Sequence, residues 1–215
     1  MPKETFYNLP EEKRKMIEDI AVDEFASFGY DNASINRVVG KSKIAKGSFY
    51  QYFEDKKDLF MHLINTSAQA KIEYVTPVMK NPFEHDIFTV LRELFSSGIK
   101  FAAKYPKRAK MGEWLMKNNS HEIYAEVVGT AMPQAEEFYM TLLKTAENKG
   151  EIREGADLEF ASHLISRMNE SMLEYYFSKK QNLDFTNDKD LMIMVEKMID
   201  LIKSGLKKQG GQEND

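Results

Sequence analysis

The chain has 215 residues, 42% of them hydrophobic and 30% charged, with no cysteine and a formal net charge of −4. That length supports one large domain or two small ones around a real core, and the composition excludes wholesale disorder. The lack of cysteine excludes a disulfide scaffold, a thiolate zinc site, an iron–sulfur cluster and a cysteine nucleophile, while a pI near 5.7, taken alone, argues against a nucleic-acid partner.

The opening segment MPKETFYNLPEEKRKM has no apolar core of signal-peptide length. No uncharged run approaches the roughly 18–20 residues of a spanning helix, and the mean hydropathy of −0.51 agrees. A soluble protein of the cytoplasm is expected.

Helical periodicity dominates the chain. Met16, Ile17, Ile20, Ala21, Phe25 and Phe28 form one apolar stripe on a helix from about Pro10 to Phe28. Asn8 is the expected cap, with Pro10 in the first turn, Glu11 three residues after the cap and Gly29 as the stop. Ser34 is placed to cap a short helix over Ile35–Lys41, whose inward face is Ile35, Val38 and Val39. Ser42 and Lys43 form a turn, and Ala45–Phe53 makes another short helix ended by Glu54 and Asp55. A longer helix runs from Lys56 into Tyr74 and stops at Pro77.

Asn81 and Pro82 open the next segment, to about Lys104, and Pro106 breaks it. Helices are predicted over Lys107–Lys117 and from near Ser120, the latter interrupted at Pro133 and stopped by Gly150. Asp157 caps a long helix carrying Leu158, Ala161, Leu164, Ile165, Met168, Met172 and Tyr176. Asn187 opens the last, with Leu191, Met194, Val195, Met198, Leu201, Ile202 and Leu206, and the tail from Gln209 is polar and frayed. No strand alternation and no internal repeat is visible. Apolar residues off the main stripes of the two final helices, Phe160, Phe177 and Ile193, leave two readings open. The helices pack within one chain, or they also form a four-helix face with a second copy.

The chemistry lies in Phe28–Leu59, FGYDNASINRVVGKSKIAKGSFYQYFEDKKDL. Two short helices joined by a tight turn make a helix-turn-helix, whose second helix fits a major groove about 12 Å wide. At about 100° per residue, Ala45, Phe49 and Phe53 share the inward face. Gly47 and Gln51 lie opposite, flanked by Lys46, Ser48 and Tyr50. Between Asn36 and Lys57, six cations face two carboxylates, so this stretch carries +4 and the remainder −8. The acidic total is an average over two surfaces, and a polyanion is attracted to the basic one.

This stretch resembles the DNA-binding domain of the TetR family of bacterial transcriptional regulators. The likeness rests on Phe25, on Phe28-Gly29-Tyr30, on Ala33-Ser34-Ile35, and above all on Ile44 to Phe53 followed by Lys56, Asp58 and Leu59. The family run there reads roughly V-S-x-G-[TS]-[LF]-Y-x-[HY]-F-x-x-K-x-x-L. The resemblance implies an all-α fold, with a three-helix DNA-binding domain over residues 1–55 and a larger helical effector-binding and dimerisation domain over 56–215. It places Lys46, Gly47, Ser48, Tyr50 and Tyr52 on DNA, with Ser48 and Tyr50 largely on phosphate. Gln51 is suited to reading an adenine, Ser34 and Asn36 to holding phosphate or touching a base, and Lys56 to phosphate. Two departures stand out. Ser42-Lys43 replaces the family's Ala-Gly turn, where Lys43 adds a candidate phosphate contact, and Ala45 replaces a capping serine.

Catalysis has no support. His62, His85, His121 and His163 are scattered, no nucleotide-binding or nucleophile motif occurs, and no cofactor or metal is expected. Glu159 and His163, four residues apart, are read as a structural pair or as pocket polarity. Most of the 13 Met and 14 Phe are expected in the core, and the resemblance to TetR-type effector pockets implies that an adaptable cavity is lined by Phe95, Ile99, Met111, Trp114, Tyr124, Tyr139, Met168 and Met172. Asn118, His121, Arg167, Asn169 and Glu170 are candidates for its polar contacts, with a local i, i+3 pair of Arg167 and Glu170 as the alternative. The expected protein is a homodimeric repressor that binds a palindromic double-stranded operator and is released by a partly apolar small molecule. The alternative is a TetR-like ligand- or protein-binding module without operator binding.

Overall fold

A computed structural model of the chain describes residues 1–73, 77–179 and 189–208. Among them the chain forms eleven α-helices: α1 Glu4–Tyr7, α2 Glu11–Asn32, α3 Ile35–Lys41, α4 Lys46–Tyr52, α5 Lys56–Glu73, α6 Pro77–Lys80, α7 Ile87–Lys104, α8 Pro106–Lys117, α9 Glu122–Asn148, α10 Leu158–Lys179 and α11 Lys189–Leu206. The fold is all-α. An isolated antiparallel bridge joins Ile152 to Lys207, and Arg153 donates its N–H to the Leu206 carbonyl at 2.8 Å, closing the end of α11.

The helices sort into two compact units. The first comprises Met1–Glu73 and Tyr105–Val127, and the second comprises the described residues within Tyr74–Lys104 and Val128–Asp215. The first unit's core joins Phe6, Ile17, Phe25, Phe49, Phe53, Phe60 and Leu63 with Met111 and Leu115 of α8. The second joins Phe88, Leu91 and Phe95 of α7 with Leu143, Ile165, Val195 and Ile199. Fully burying each such side chain contributes roughly 1.5–3 kcal/mol, which is why α5 and α8 pack as part of the N-terminal unit.

Several boundaries differ from the sequence expectation, each for a local reason. Asn8 does not cap α2. It closes α1, its N–H reaching the Glu4 and Phe6 carbonyls, and Pro10 stands at the start of α2 without a side-chain cap. The inward stripe of α2 also shifts, for Met16 and Phe28 are exposed while Val22 and Glu24 are buried. Gly29 breaks α2 at φ 68°, ψ 175°, and one further turn runs to Asn32. Pro82 begins only a three-residue 3₁₀ turn. The true cap of α7 is Asp86, whose Oδ1 accepts the Phe88 and Thr89 N–H groups, both at 3.1 Å, while Glu151 Oε2 accepts that of Ile87 at 2.8 Å. Pro106 opens α8 rather than merely ending α7. Pro133 lies inside a continuous α9, which tolerates one missing backbone bond over its length. Asp157 caps α10 as expected, accepting the Phe160 N–H at 2.9 Å. Tyr74, Asn187 and the tail from Gln209 lie outside the described residues, as do the side chains of Asn169, Glu170, Tyr176 and Phe177.

Candidate nucleic-acid interface

The interface is built on α2, because Val38 and Val39 of α3 and Phe49 and Tyr52 of α4 enter the same core as Ile17, Ala21 and Phe25. Between the short helices, Lys43 N–H bonds the Gly40 carbonyl and Ile44 N–H that of Val39, both at 3.3 Å. This is a Schellman closure, in which the left-handed position favours glycine. Here Lys43 occupies it at φ 51°. Ser42 is buried, and its Oγ meets no hydrogen-bond partner among the described residues. The departure from Ala-Gly therefore leaves the turn intact but strained.

A buried carboxylate fixes α3 to α2. Glu24 is 0% exposed and accepts the Ser34 N–H at 2.9 Å and Arg37 Nε at 2.7 Å on the same oxygen. Arg37 also donates to the Asn32 carbonyl and stacks over Phe28 at 4.3 Å. Burial opposes the charge on Glu24. The Arg37 hydrogen bond, the Ser34 N–H and the charges of Arg37 and Lys41 outweigh it and hold the carboxyl below its ordinary value. Sequence reasoning missed Glu24, although its spacing from Ile17 and Ala21 places it on the apolar stripe.

The exposed face of the motif carries Asn36, Lys43, Lys46, Gly47, Tyr50 and Gln51, with Ser34 and Ser48 half-buried beside them. Lys43 and Lys46 meet no carboxylate among the described residues. The remaining cations of the basic stretch are partly offset through space. Arg37 pairs with Glu24 at 2.6 Å, Lys57 with Glu126 at 2.5 Å, and Lys41 stands 4.0 Å from Glu24.

Four expected details change. Ala45 is exposed, because it is the non-helical residue preceding α4 rather than part of its inward face. The Ser34 N–H, expected to be open to phosphate, is already donated to Glu24, and Ser34 makes no side-chain cap. Tyr52 is only 8% exposed, its ring centroid 6.0 Å from that of Phe6. Lys56, expected on phosphate, directs its ammonium onto the Tyr30, Asp31 and Ala33 carbonyls at 2.8, 3.1 and 3.4 Å. It thereby ties the start of α5 to the end of α2.

The residues expected in an effector pocket separate into two groups. Phe95, Ile99, Tyr139, Met168 and Met172 belong to the core of the second unit, where burial pushes the Tyr139 phenol up to about 12. Met111, Trp114 and Tyr124 belong to that of the first. Trp114 packs with Tyr30, Phe60 and His121, at centroid distances of 5.7, 5.8 and 5.4 Å. His163 pairs with Glu136 of α9 at 2.9 Å, not with Glu159, and lies on an open groove with Pro133, Met140 and Phe160. Arg167 is exposed. Among the described residues no cluster of three or more His, Asp or Glu could hold a metal ion, and no helix is long and apolar enough to cross a membrane.

Two short helices on a long one, with Lys46, Ser48, Tyr50 and Gln51 on the outer side of the second, form a helix-turn-helix. Residues 17–63 match the family model described as bacterial regulatory proteins, tetR family. The "Probable acrEF/envCD operon repressor" of Escherichia coli (strain K12) is 23% identical over 168 residues, covering 77% of this chain and 76% of that one. A TetR family transcriptional regulator from Chloroflexus aurantiacus J-10-FL superposes with a TM-score of 0.68 at 27% identity, covering 97% of this chain and 100% of that one. The transcriptional regulator FadR from Bacillus subtilis, solved in complex with stearoyl-CoA, shares the fold (TM-score 0.69, 18% identity, 89% and 98% covered). Residues 17–63 thus resemble the DNA-binding module of the tetR family, and the chain as a whole is similar in sequence and fold to TetR-family transcriptional regulators.

Proposed function

We propose that the chain is a cytoplasmic, homodimeric repressor that binds a palindromic operator and is released by a small, partly apolar effector. The observation that carries the DNA reading is the outer face of α4 and the preceding turn. Lys43 and Lys46 are exposed there without carboxylate partners among the described residues, beside Gly47, Ser48, Tyr50 and Gln51. In this reading Lys43, Lys46, Ser48 and Tyr50 hold phosphates, Gln51 reads a base, and Asn36 and Ser34 contribute from α3. Lys56 and Tyr52 act from behind, keeping the helices in place. Half-sites then lie roughly 34–36 Å apart or slightly more.

Dimerisation is supported by apolar side chains that a single copy leaves exposed on α10 and α11, namely Phe160 at 59%, Ile193 at 51% and Leu201 at 67%; such patches favour association. The effector reading is supported by the cluster Phe95, Ile99, Tyr139, Met168 and Met172 and by the stearoyl-CoA held by a regulator of the same fold. The division at residues 55/56 is in this account one of roles rather than of packing, since α5 belongs to the first compact unit. Effector release requires different ligand affinities in the DNA-competent and DNA-incompetent states.

The test is selection of duplexes from a random pool by the purified protein, with light scattering on the same sample. Enrichment of a palindrome by a dimer is expected. A monomer at micromolar concentration contradicts the dimer, and a pool left unenriched at low salt contradicts the operator.

A further inference from the structure

The segment ahead of α2 is fastened to the far end of α4. Pro2 and Phe6 are buried. The Phe6 ring centroid lies 4.8 Å from that of Phe53 and 5.5 Å from that of His62, which is itself paired with Glu18 at 2.7 Å. With this anchor set, the arm reaches the last carbonyls of the helix. The Lys3 N–H donates to the Tyr52 carbonyl at 2.8 Å, the Lys3 ammonium donates to that of Tyr50 at 3.0 Å, and the Thr5 hydroxyl donates to that of Gln51. Lys3 also meets Glu54 at 3.1 Å. A helix leaves its final carbonyls without intrahelical donors, and in a seven-residue helix they are a large share of the total. A cation there also suits the negative end of the helix dipole.

We propose that Lys3 and Thr5 are positioning residues for sequence reading: the N-terminal arm clamps the C-terminal turn of α4 and thereby sets how Tyr50 and Gln51 are presented to DNA. Neither residue needs to touch a base. The carbonyls they hold belong to Tyr50, Gln51 and Tyr52 themselves, so loosening the arm frees the turn that carries the proposed phosphate and base contacts. The inference rests on the operator reading above.

The substitutions can be made without refolding the arm. Lys3 precedes α1 at φ −75°, a value proline adopts. Lys3→Pro therefore removes both Lys3 donors, and Thr5→Val removes the hydroxyl while keeping the side-chain shape. The experiment uses the full chain and the duplex that the wild-type protein selects from a random pool, with a scrambled duplex as reference. Anisotropy is read well below the melting transition of every variant.

Lys3→Pro/Thr5→Val is expected to bind the selected duplex about tenfold more weakly, equivalent to about 1.4 kcal/mol, with scrambled-duplex affinity within about twofold of wild type. Thr5→Val alone, which changes no charge, is expected to lower discrimination in the same direction. Lys3→Arg, which keeps the backbone N–H and a cationic donor, is expected to restore it. In parallel, amide exchange at residues 50–53 should quicken in the double variant while α3 is unchanged. Equal weakening on both duplexes, or unchanged discrimination, overturns the positioning role. A wild-type protein that selects no duplex overturns the operator reading and the inference with it.

Discussion

Replacing Gly29 by alanine should damage the first unit severely, for two independent reasons. At φ 68°, ψ 175° the backbone occupies a region that is essentially glycine-only, at a cost of about 1–3 kcal/mol for another residue. A Cβ there would also stand 2.7 Å from Trp114 Cδ1 and 2.8 Å from Nε1. The indole cannot slide away easily, because Tyr30, Phe60 and His121 pack around it, and such overpacking costs about 1–3 kcal/mol more. The sum is about 2–6 kcal/mol, which lowers the melting temperature by roughly 4–24 °C for a chain of this size. Trp114 is the one tryptophan in the sequence, so its fluorescence reports directly on the strained contact. Gly112→Ala is the control: a Cβ there meets nothing within 4 Å, and a helix interior gains about 0.5–1 kcal/mol from the exchange. A Gly29→Ala protein that melts within 2 °C of wild type, with unshifted Trp114 emission, would refute the reasoning.

Other outcomes follow from the interface. Lys43→Gly should relieve the left-handed strain of about 1–2 kcal/mol, less some added unfolded-state entropy, and raise the melting point by a few degrees. The same change should flatten the salt dependence of DNA binding if Lys43 meets a phosphate, by about 0.9 per lost contact. Glu24 has its folded pKa held below the ordinary 4.5, so its stabilisation is present above that value and disappears as pH falls through the lowered one. Urea titrations from pH 6 to pH 3 should therefore show a smaller acid loss for Glu24→Gln than for wild type, and identical slopes would contradict the assignment. Tyr50→Ala should weaken all sequences alike, whereas Gln51→Ala should relax preference at one base position; uniform loss in both would remove the readout role from Gln51.

The sequence made the helix-turn-helix legible because identities and spacing coincide over a short stretch, and the long amphipathic helices α7, α10 and α11 because apolar periodicity repeats over several turns. What it concealed depends on partners brought together through space. Glu24 looks like a surface residue until Arg37 and the Ser34 N–H meet it. Lys56 reads as a phosphate ligand until the Tyr30, Asp31 and Ala33 carbonyls lie within 3.4 Å of its ammonium. The helix α1 has only four residues, too few for any periodicity, and only its packing on Phe53 and His62 gives Phe6 a role. The pocket residues scattered between two cores for a related reason: Met and aromatic residues mark apolar burial, not which core will bury them.

The central claim is that the outer face of α3 and α4 reads a specific duplex. Anisotropy of a labelled selected duplex and its scrambled counterpart, across a salt series, tests it most directly. At least a thousandfold preference for the selected duplex is expected at physiological salt. Affinity for both duplexes should fall steeply with salt, and Lys46→Ala should lessen that slope. Equal affinity for the two duplexes, or no binding to either at low salt, would contradict it.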